Sequence, residues 1–196
     1  MNAVKSALVV FAVMLGNVLP ALAQTAPITT RISPHEIVSA HISRRNGPLM
    51  IIVYGRPYSK DPHSDKIRKI WGGLVPFGKV WRTGADEATL MIIGQPIVMG
   101  DTTIPAGAYT LFTVPLEDGT AKLIINKKIG QWGVPYIEAK EKDNELARID
   151  LKKDVPPANQ VDQFTISIEP DPSTGGGILK MVWENTSFAM PFTLAK

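Results

Sequence analysis

Apolar and polar side chains alternate with a period of two through much of this chain, and this pattern constrains the fold most strongly. Near the C-terminus, Phe164, Ile166 and Ile168 alternate with Thr165 and Ser167. Successive side chains of a β-strand point to opposite faces, so each such segment predicts a strand with one buried face. The same alternation occurs in residues 148–152, 179–184 and 188–194. Denser apolar runs predict strands buried on both faces, at residues 50–54, 88–93, 109–114 and 122–125, and a weaker pattern covers residues 35–43.

Turn-forming residues separate these segments at short intervals, because many of the 16 Gly and 16 Pro lie between them. Short strands divided by turns are typical of antiparallel sandwiches and barrels. We therefore predict an all-β fold for residues 24–196, a single antiparallel β-sandwich of jelly-roll or immunoglobulin-like type with about nine or ten strands. At most one short helix is expected, near residues 64–71, where Ser64 is a candidate cap. Residues 136–146 form either a short helix or a solvated loop.

The first 23 residues have the pattern of a secretory signal peptide. Lys5 precedes an apolar run at residues 7–15, and Ala-Leu-Ala at positions 21–23 precedes Gln24 as a cleavage site. The apolar run is too short to cross a bilayer, which needs about 20 helical residues. We expect cleavage to leave residues 24–196 in the periplasm or outside the cell, with no stable membrane anchor.

The absence of cysteine removes several classes of site. Disulfides, thiolate zinc sites, iron–sulfur clusters and cysteine nucleophiles all need a residue that this chain lacks. The three histidines, His35, His41 and His63, do not have the spacing of a metal-binding helix motif. We expect neither a metal nor a cofactor, and stability must come from the core.

Positive charge is concentrated in one part of the chain. The net charge is only +3, which is too small to point to a nucleic-acid partner. Residues 44–82 contain nine Lys and Arg against two Asp, whereas residues 83–196 contain ten against fifteen Asp and Glu. The basic segment includes most of residues 55–89, a long region with little strand pattern. Long connections of this kind are often functional.

A long motif inside this region carries a family resemblance. Residues 71–89 (WGGLVPFGKVWRTGADEAT) resemble the signature of domain of unknown function 2911, a family of secreted bacterial proteins. Residues 105–115 (PAGAYTLFTVP) resemble its second motif, and shorter matches occur at residues 33–34, 54–57, 126–127, 131–133 and 182–185. This chain has Asp86 where the family usually has Asn, and its residues 59–68 form a longer link than usual. The resemblance implies an exported, β-rich domain, and no known activity comes with it.

The residues of the basic region predict a non-catalytic binding domain for a small anionic or saccharide-like ligand. Arginine can hold a carboxylate or phosphate through two hydrogen bonds, while an aromatic ring stacks on a ring or sugar. In this hypothesis Lys79 and Arg82 hold the charged group, and Glu87 accepts hydroxyl donors or fixes Arg82. The candidate binding residues are Arg56, Lys79, Trp81, Arg82 and Glu87, with Asn126, Gln131 and Trp132 as a second wall.

Two other classes of protein stay open at this point. In an extracytoplasmic hydrolase, Glu87 would act as the acid/base and Arg82 would stabilise developing negative charge. In a structural envelope protein without a ligand, Arg82 would form a partly buried ion pair with Asp86 or Glu87. An Arg82 that lines an open pocket with Glu87 and a tryptophan favours binding or catalysis, whereas an enclosed and paired Arg82 with no cavity beside it favours the structural role.

Overall fold

The alternating segments form antiparallel strands. A computed structural model describes residues 32–41, 50–64 and 66–195. In this part of the chain the strands are β1 (His35–Ala40), β2 (Met50–Gly55), β3 (Ala85–Ile93), β4 (Ile97–Met99), β5 (Thr102–Ile104), β6 (Gly107–Pro115), β7 (Ala121–Asn126), β8 (Glu145–Lys153), β9 (Val161–Asp171), β10 (Gly176–Glu184) and β11 (Thr186–Leu194). The all-β, antiparallel prediction is confirmed, and each segment predicted as a strand contains or overlaps one.

The strands form one sheet that curves until it is nearly closed. Its order is β1-β2-β3-β6-β7-β8-β11-β10-β9, and the β4–β5 hairpin is attached through β4 to β11. β8 joins the two halves, because most of it pairs with β7 while Lys152 and Lys153 at its end pair with β11. Apolar and polar residues alternate in the same way in two packed sheets and in one sheet that curves toward a barrel. The alternation therefore predicts the strands but does not indicate that the sheet is nearly closed.

The chain that follows β2 bridges the two ends of the sheet. Residues 57–59 run antiparallel to the start of β9. The Phe164 N–H donates to the Pro57 carbonyl at 2.9 Å, and the Ser59 N–H donates to the Asp162 carbonyl at 2.6 Å. We call the facing residues 54–59 and 162–166 the seam.

Two side chains from the β2 end extend the seam. The Tyr54 hydroxyl accepts a hydrogen bond from the Ile166 N–H at 2.9 Å and donates to the Glu36 carboxylate at 3.1 Å. Burial raises the pKa of Tyr54 to about 12, so its hydroxyl keeps its proton and stays a donor. Arg56 pairs with Glu36 at 2.8 Å and donates through Nε to the Phe164 carbonyl at 3.1 Å.

The alternation places one face of the strands in a continuous core. In β9, Phe164, Ile166 and Ile168 are buried, while Thr165 between them is only half-buried. β6 and β7 are covered on both faces, as their dense apolar runs predicted. The cluster on the second face consists of Ala88, Phe112, Val114 and Ile124.

The helix predicted near residues 64–71 is wrong. The described part of that segment forms turns and short bridges, and the Arg68 N–H donates to the Ser59 carbonyl at 2.9 Å. Two glycines follow at positions 72–73, and Gly is a poor helix former. The helical residues are instead α1 (Glu138–Glu141) and a 3-10 helix (Lys142–Asn144).

The predicted signal peptide at residues 1–23 lies outside the described residues and stays a prediction. The residues Arg31–Lys196 group into one compact unit. Within the ranges that the structure describes, no helix is both long enough and apolar enough to cross a bilayer.

Candidate ligand-binding cleft

The basic region lines a cleft of about 680 Å³. A space of this size accommodates a metabolite-sized ligand. Aromatic and cationic side chains share its lining with apolar ones. The aromatic residues are Tyr58, Trp81, Tyr136 and Trp183, and the cationic ones are Arg68, Lys79 and Arg82. We call this space the cleft.

Pairing with β6 positions the tryptophan and arginine of the family-like motif. Backbone hydrogen bonds of 2.8 Å run in both directions between Trp81 and Thr113, and the Trp81 indole donates to the Gly84 carbonyl at 3.1 Å. Thr83 and Asp86 then have φ values of 55° and 64°, in the left-handed region. A threonine there is strained, whereas Asp and Asn tolerate that conformation best. Asp86 therefore suits this backbone conformation better than most residues would.

Three buried threonines stabilise this turn. The Thr83 and Thr113 hydroxyls are hydrogen-bonded at 2.8 Å, and the Thr89 hydroxyl donates to the Thr83 carbonyl at 2.7 Å. All three residues are at most 1% exposed. Nearby, a Cβ on Gly55 would lie 2.3 Å from the Ala85 carbonyl oxygen, so only glycine lets β2 approach the turn this closely.

Stacked indole rings form the floor of the cleft. Trp81 lies on Trp183 with ring centroids 5.7 Å apart and an interplanar angle of 22°. Trp71 packs edge-on against both rings at about 6 Å, and Phe164 packs edge-on against Trp81 at 4.9 Å. Trp183 is 1% exposed, and each aromatic pair stabilises the cluster by about 0.5–1.5 kcal/mol beyond area burial. The floor is therefore rigid and apolar.

Arg82 lies against the wall of the cleft and has no ion pair with any residue that the structure describes. Its guanidinium is 5.1 Å from the Trp132 ring centroid, in cation–π geometry, and Nη1 donates to the Trp132 carbonyl at 3.5 Å. Burial lowers the pKa of Arg82, and the charges of Asp86 and Glu87 oppose that shift. Among the described residues, no carboxylate lies within 4.0 Å of it. Most of its N–H donors are left for a ligand.

The described cations between positions 60 and 82 share this property, whereas Arg56 pairs with Glu36. Between positions 60 and 82, no described Lys or Arg side chain has a described carboxylate within 4.0 Å; the residues are Lys60, Lys66, Arg68, Lys69, Lys79 and Arg82. Of the ten described Lys and Arg outside this stretch, five have a carboxylate within 4.0 Å, namely Arg56, Lys122, Lys128, Arg148 and Lys180. Three of the unpaired cations, Arg68, Lys79 and Arg82, line the cleft together with two carboxylates, Asp61 and Asp86, so its lining has an excess of positive charge.

Three predicted site residues hold the fold together away from the cleft lining. Arg56 binds the backbone of β9 at the seam. Asn126 is fully buried, and its side-chain oxygen accepts from the Lys128 N–H at 2.8 Å. The Gln131 amide donates to the Thr110 hydroxyl at 2.9 Å. Neighbouring loops and strands use their polar groups, except that the buried Gln131 Oε1 has no hydrogen-bond partner among the described residues.

Glu87 and Asp86 converge on a histidine. The Glu87 carboxylate lies 3.2 Å from His35 Nε2, and Asp86 Oδ2 lies 4.0 Å from His35 Nδ1. Adjacent strand residues normally face opposite sides, but the positive φ of Asp86 turns both carboxylates the same way. Asp86 lines the cleft, whereas Glu87 lies outside its described lining. Within the described ranges, no group of three or more His, Asp or Glu is arranged to hold a metal ion.

Parts of the cleft come from residues that were absent from the predicted site. Arg68, Tyr136 and Trp183 line it together with Val134. The Tyr136 hydroxyl donates to the Glu145 carboxylate at 2.6 Å, and burial together with this bond raises the pKa of Tyr136. Because Arg68 belongs to the basic region, the sequence offered a reason to include it among the candidate binding residues. Trp183 reads in sequence as a core or sheet-face residue, and it is a core residue whose edge reaches the cleft.

Comparison with known proteins identifies the family. The family model described as "Protein of unknown function (DUF2911)" matches residues 33–192, most of the chain, including both motifs. No curated protein and no solved structure matches the chain. The resemblance drawn from residues 71–89 and 105–115 is thereby confirmed, and the chain belongs to the DUF2911 family.

Proposed function

We propose that this protein is an exported binding protein that holds a small anionic ligand in the cleft. One observation carries the proposal. Arg82, which has no ion pair among the described residues, lines about 680 Å³ of open space beside the indole floor of Trp81 and Trp183. Such a combination of cation, aromatic surface and concave shape is typical of sites for organic anions.

Electrostatics favours an anionic ligand. A partly buried guanidinium loses hydration, and this desolvation costs free energy until an opposite charge compensates it. A carboxylate or phosphate that accepts two hydrogen bonds from Arg82 supplies that compensation. Lys79 and Arg68 line the same cleft and add to the attraction, and these three cations outnumber the two carboxylates of the lining, Asp61 and Asp86.

The positions of the acidic residues favour binding over the two alternatives. Glu87, the candidate acid/base of a hydrolase, contacts His35 and lies outside the described cleft lining. A purely structural Arg82 would need the ion pair that the described carboxylates do not provide. Binding uses the groups that face the cleft and requires no further one.

A thermal-shift experiment tests binding. Citrate, benzoate and glucose 6-phosphate serve as anionic probes, and glucose as a neutral one. A ligand at ten times its Kd stabilises the folded state by about 1.4 kcal/mol, which raises the Tm of a domain of this size by about 3–5 °C. We expect at least one anion to raise the Tm by this amount, and we expect the substitution Arg82→Gln to abolish that rise. The exposed Lys127, outside the cleft lining, provides the control Lys127→Gln, which should keep it.

The binding proposal fails if no anion raises the Tm, or if the shift survives in Arg82→Gln at the same probe concentration. Far-UV circular dichroism of both variants shows whether the fold is intact. A shift produced equally by glucose would contradict the role of the charge.

Export has its own test. The full chain is expressed in a bacterium, the cell is fractionated, and the N-terminus of the purified protein is determined by mass spectrometry. We expect a chain that starts at Gln24 in the periplasm or the medium. A chain that keeps residues 1–23 and stays in the cytoplasm would contradict export without affecting the binding proposal.

A further inference from the structure

Exposed aliphatic side chains frame the mouth of the cleft. Ile32, Leu74 and Val134 are 56%, 48% and 38% exposed, and all three line the same space. Single exposed apolar residues are ordinary on protein surfaces, but a group that rims a concave site marks a place where apolar surface is bound.

The interior of the cleft continues this apolar character. Below the mouth lie the indole rings of Trp81 and Trp183, and Val75, Pro76 and Pro135 complete the walls. Cations stand beside this surface at Arg68, Lys79 and Arg82. A sugar presents hydroxyls on most of its edges and needs polar partners for them when buried. The aliphatic mouth and indole floor supply few such partners, and the polar side chains that a sugar would find besides the cations and the aromatic residues are those of Ser33, Asp61, His63 and Asp86.

We infer that the ligand is an amphiphilic organic acid, with one carboxylate held by Arg82 and a hydrocarbon body lying on the floor and mouth of the cleft. This inference rests on the proposed function and narrows its ligand class. The carboxylate takes the fork of guanidinium N–H donors. The hydrocarbon body covers Leu74, Ile32 and Val134, which otherwise stay in contact with water.

A homologous series of ligands measures the contribution of the hydrocarbon body. Isothermal titration calorimetry is carried out with hexanoate, octanoate and decanoate below their micelle concentrations, and with gluconate and inorganic phosphate as polar anions. Each methylene buried in the cleft should tighten binding about fourfold. We expect the Kd to fall by about 15-fold for each step of two carbons, and gluconate to bind more weakly than hexanoate.

Two substitutions at the mouth test where the chain lies. Leu74→Ser and Ile32→Ser remove exposed apolar surface, so neither should disturb the core. Each should reduce the affinity for decanoate by about tenfold and leave that for hexanoate nearly unchanged, because the shorter chain does not reach the mouth. Val155 is 80% exposed and lies outside the cleft lining. The control Val155→Ser should bind the whole series like the unmodified protein.

The possible results distinguish a failure of this inference from a failure of the proposed anion binding. If gluconate or phosphate binds as tightly as decanoate and Arg82→Gln abolishes that binding, the inference is wrong and anion binding stands. If no anion binds, both are wrong. If the protein sediments with vesicles that contain phosphatidylglycerol, and excess decanoate does not release it, the apolar mouth contacts a membrane instead. That result also overturns the inference.

Discussion

Replacing either threonine of the buried Thr83–Thr113 pair by valine should destabilise the protein, and replacing both should cost less than the sum of the two single losses. Thr83 and Thr113 are hydrogen-bonded at 2.8 Å and are at most 1% exposed. Valine has the same shape as threonine, so Thr113→Val leaves no cavity but leaves the Thr83 hydroxyl without a partner. An unsatisfied buried hydroxyl costs about 1–3 kcal/mol. We expect each single variant to lower the free energy of unfolding by about 2 kcal/mol.

The free energy of unfolding that the double variant loses should be smaller than the sum of the losses in the two single variants. With both hydroxyls removed no orphan polar group is left, and such paired replacements are close to neutral. We expect Thr83→Val/Thr113→Val to be at least as stable as either single variant, with a coupling energy of about 2 kcal/mol or more. Urea unfolding, followed by tryptophan fluorescence, measures the three free energies. The single variants should also show a Tm lower by about 4–8 °C.

A matched control comes from β5. Thr103 is exposed, and Thr103→Val should change stability by no more than about 0.5 kcal/mol. Additive losses in the two buried variants would refute the reasoning, because they would mean that each hydroxyl has a partner besides the other. The turn that carries Arg82 would then be held by contacts other than this pair.

Two further predictions concern the seam and the loop beside Arg82. Burial acts to raise the pKa of Asp162, but hydrogen bonds from Ser59 and the Lys60 amide outweigh it and hold that pKa below its usual value. The stability that this carboxylate contributes is therefore present above about pH 4 and is lost as the pH falls through the lowered pKa. Ser59→Ala should therefore cost about 1 kcal/mol at pH 7, and urea titrations should show that difference shrinking at pH 3; a pH-independent loss would contradict it. Gly133 has φ +92°, and a Cβ there would lie 3.0 Å from the Arg82 Cβ; Gly133→Ala should cost about 2–3 kcal/mol. Gly130→Ala, at φ +77° in open space, should cost only about 1 kcal/mol, and equal losses in thermal unfolding would remove the steric argument.

The strands were predictable because their cause is local. The side chains of β9 alternate in polarity, and the pleat turns that alternation into one buried and one exposed face whatever the rest of the chain does. The helix near residues 64–71 was wrong for the complementary reason. Ile67 and Ile70 have helical spacing, but Ile67 is 69% exposed and Ile70 is buried. The Arg68 N–H donates to the Ser59 carbonyl and holds the backbone in another course, and no periodic pattern in the sequence indicates that bond.

The candidate site was predictable only in its central part. Trp81 and Arg82 belong to a specific motif, and Lys79 lies beside them in sequence and at the cleft. Arg56 has the same chemistry as Arg82, yet its guanidinium is used by the Phe164 carbonyl, a group 108 residues away. Alternation is lost in a long loop, so the sequence does not indicate which cation faces the cleft and which one binds the backbone.

The seam has a consequence for how the molecule meets other copies of itself. Unpaired N–H and C=O groups on an edge strand are templates for the addition of a further chain. At the start of β9 these groups are already taken by residues 57–59, and the Tyr54 hydroxyl stands in for a strand neighbour at Ile166. Tyr54 and Ile166 are 112 residues apart in sequence. In a chain without cysteine, this contact closes a long loop by hydrogen bonds, as a disulfide does elsewhere, and it occupies a site where self-association through strand pairing would otherwise begin.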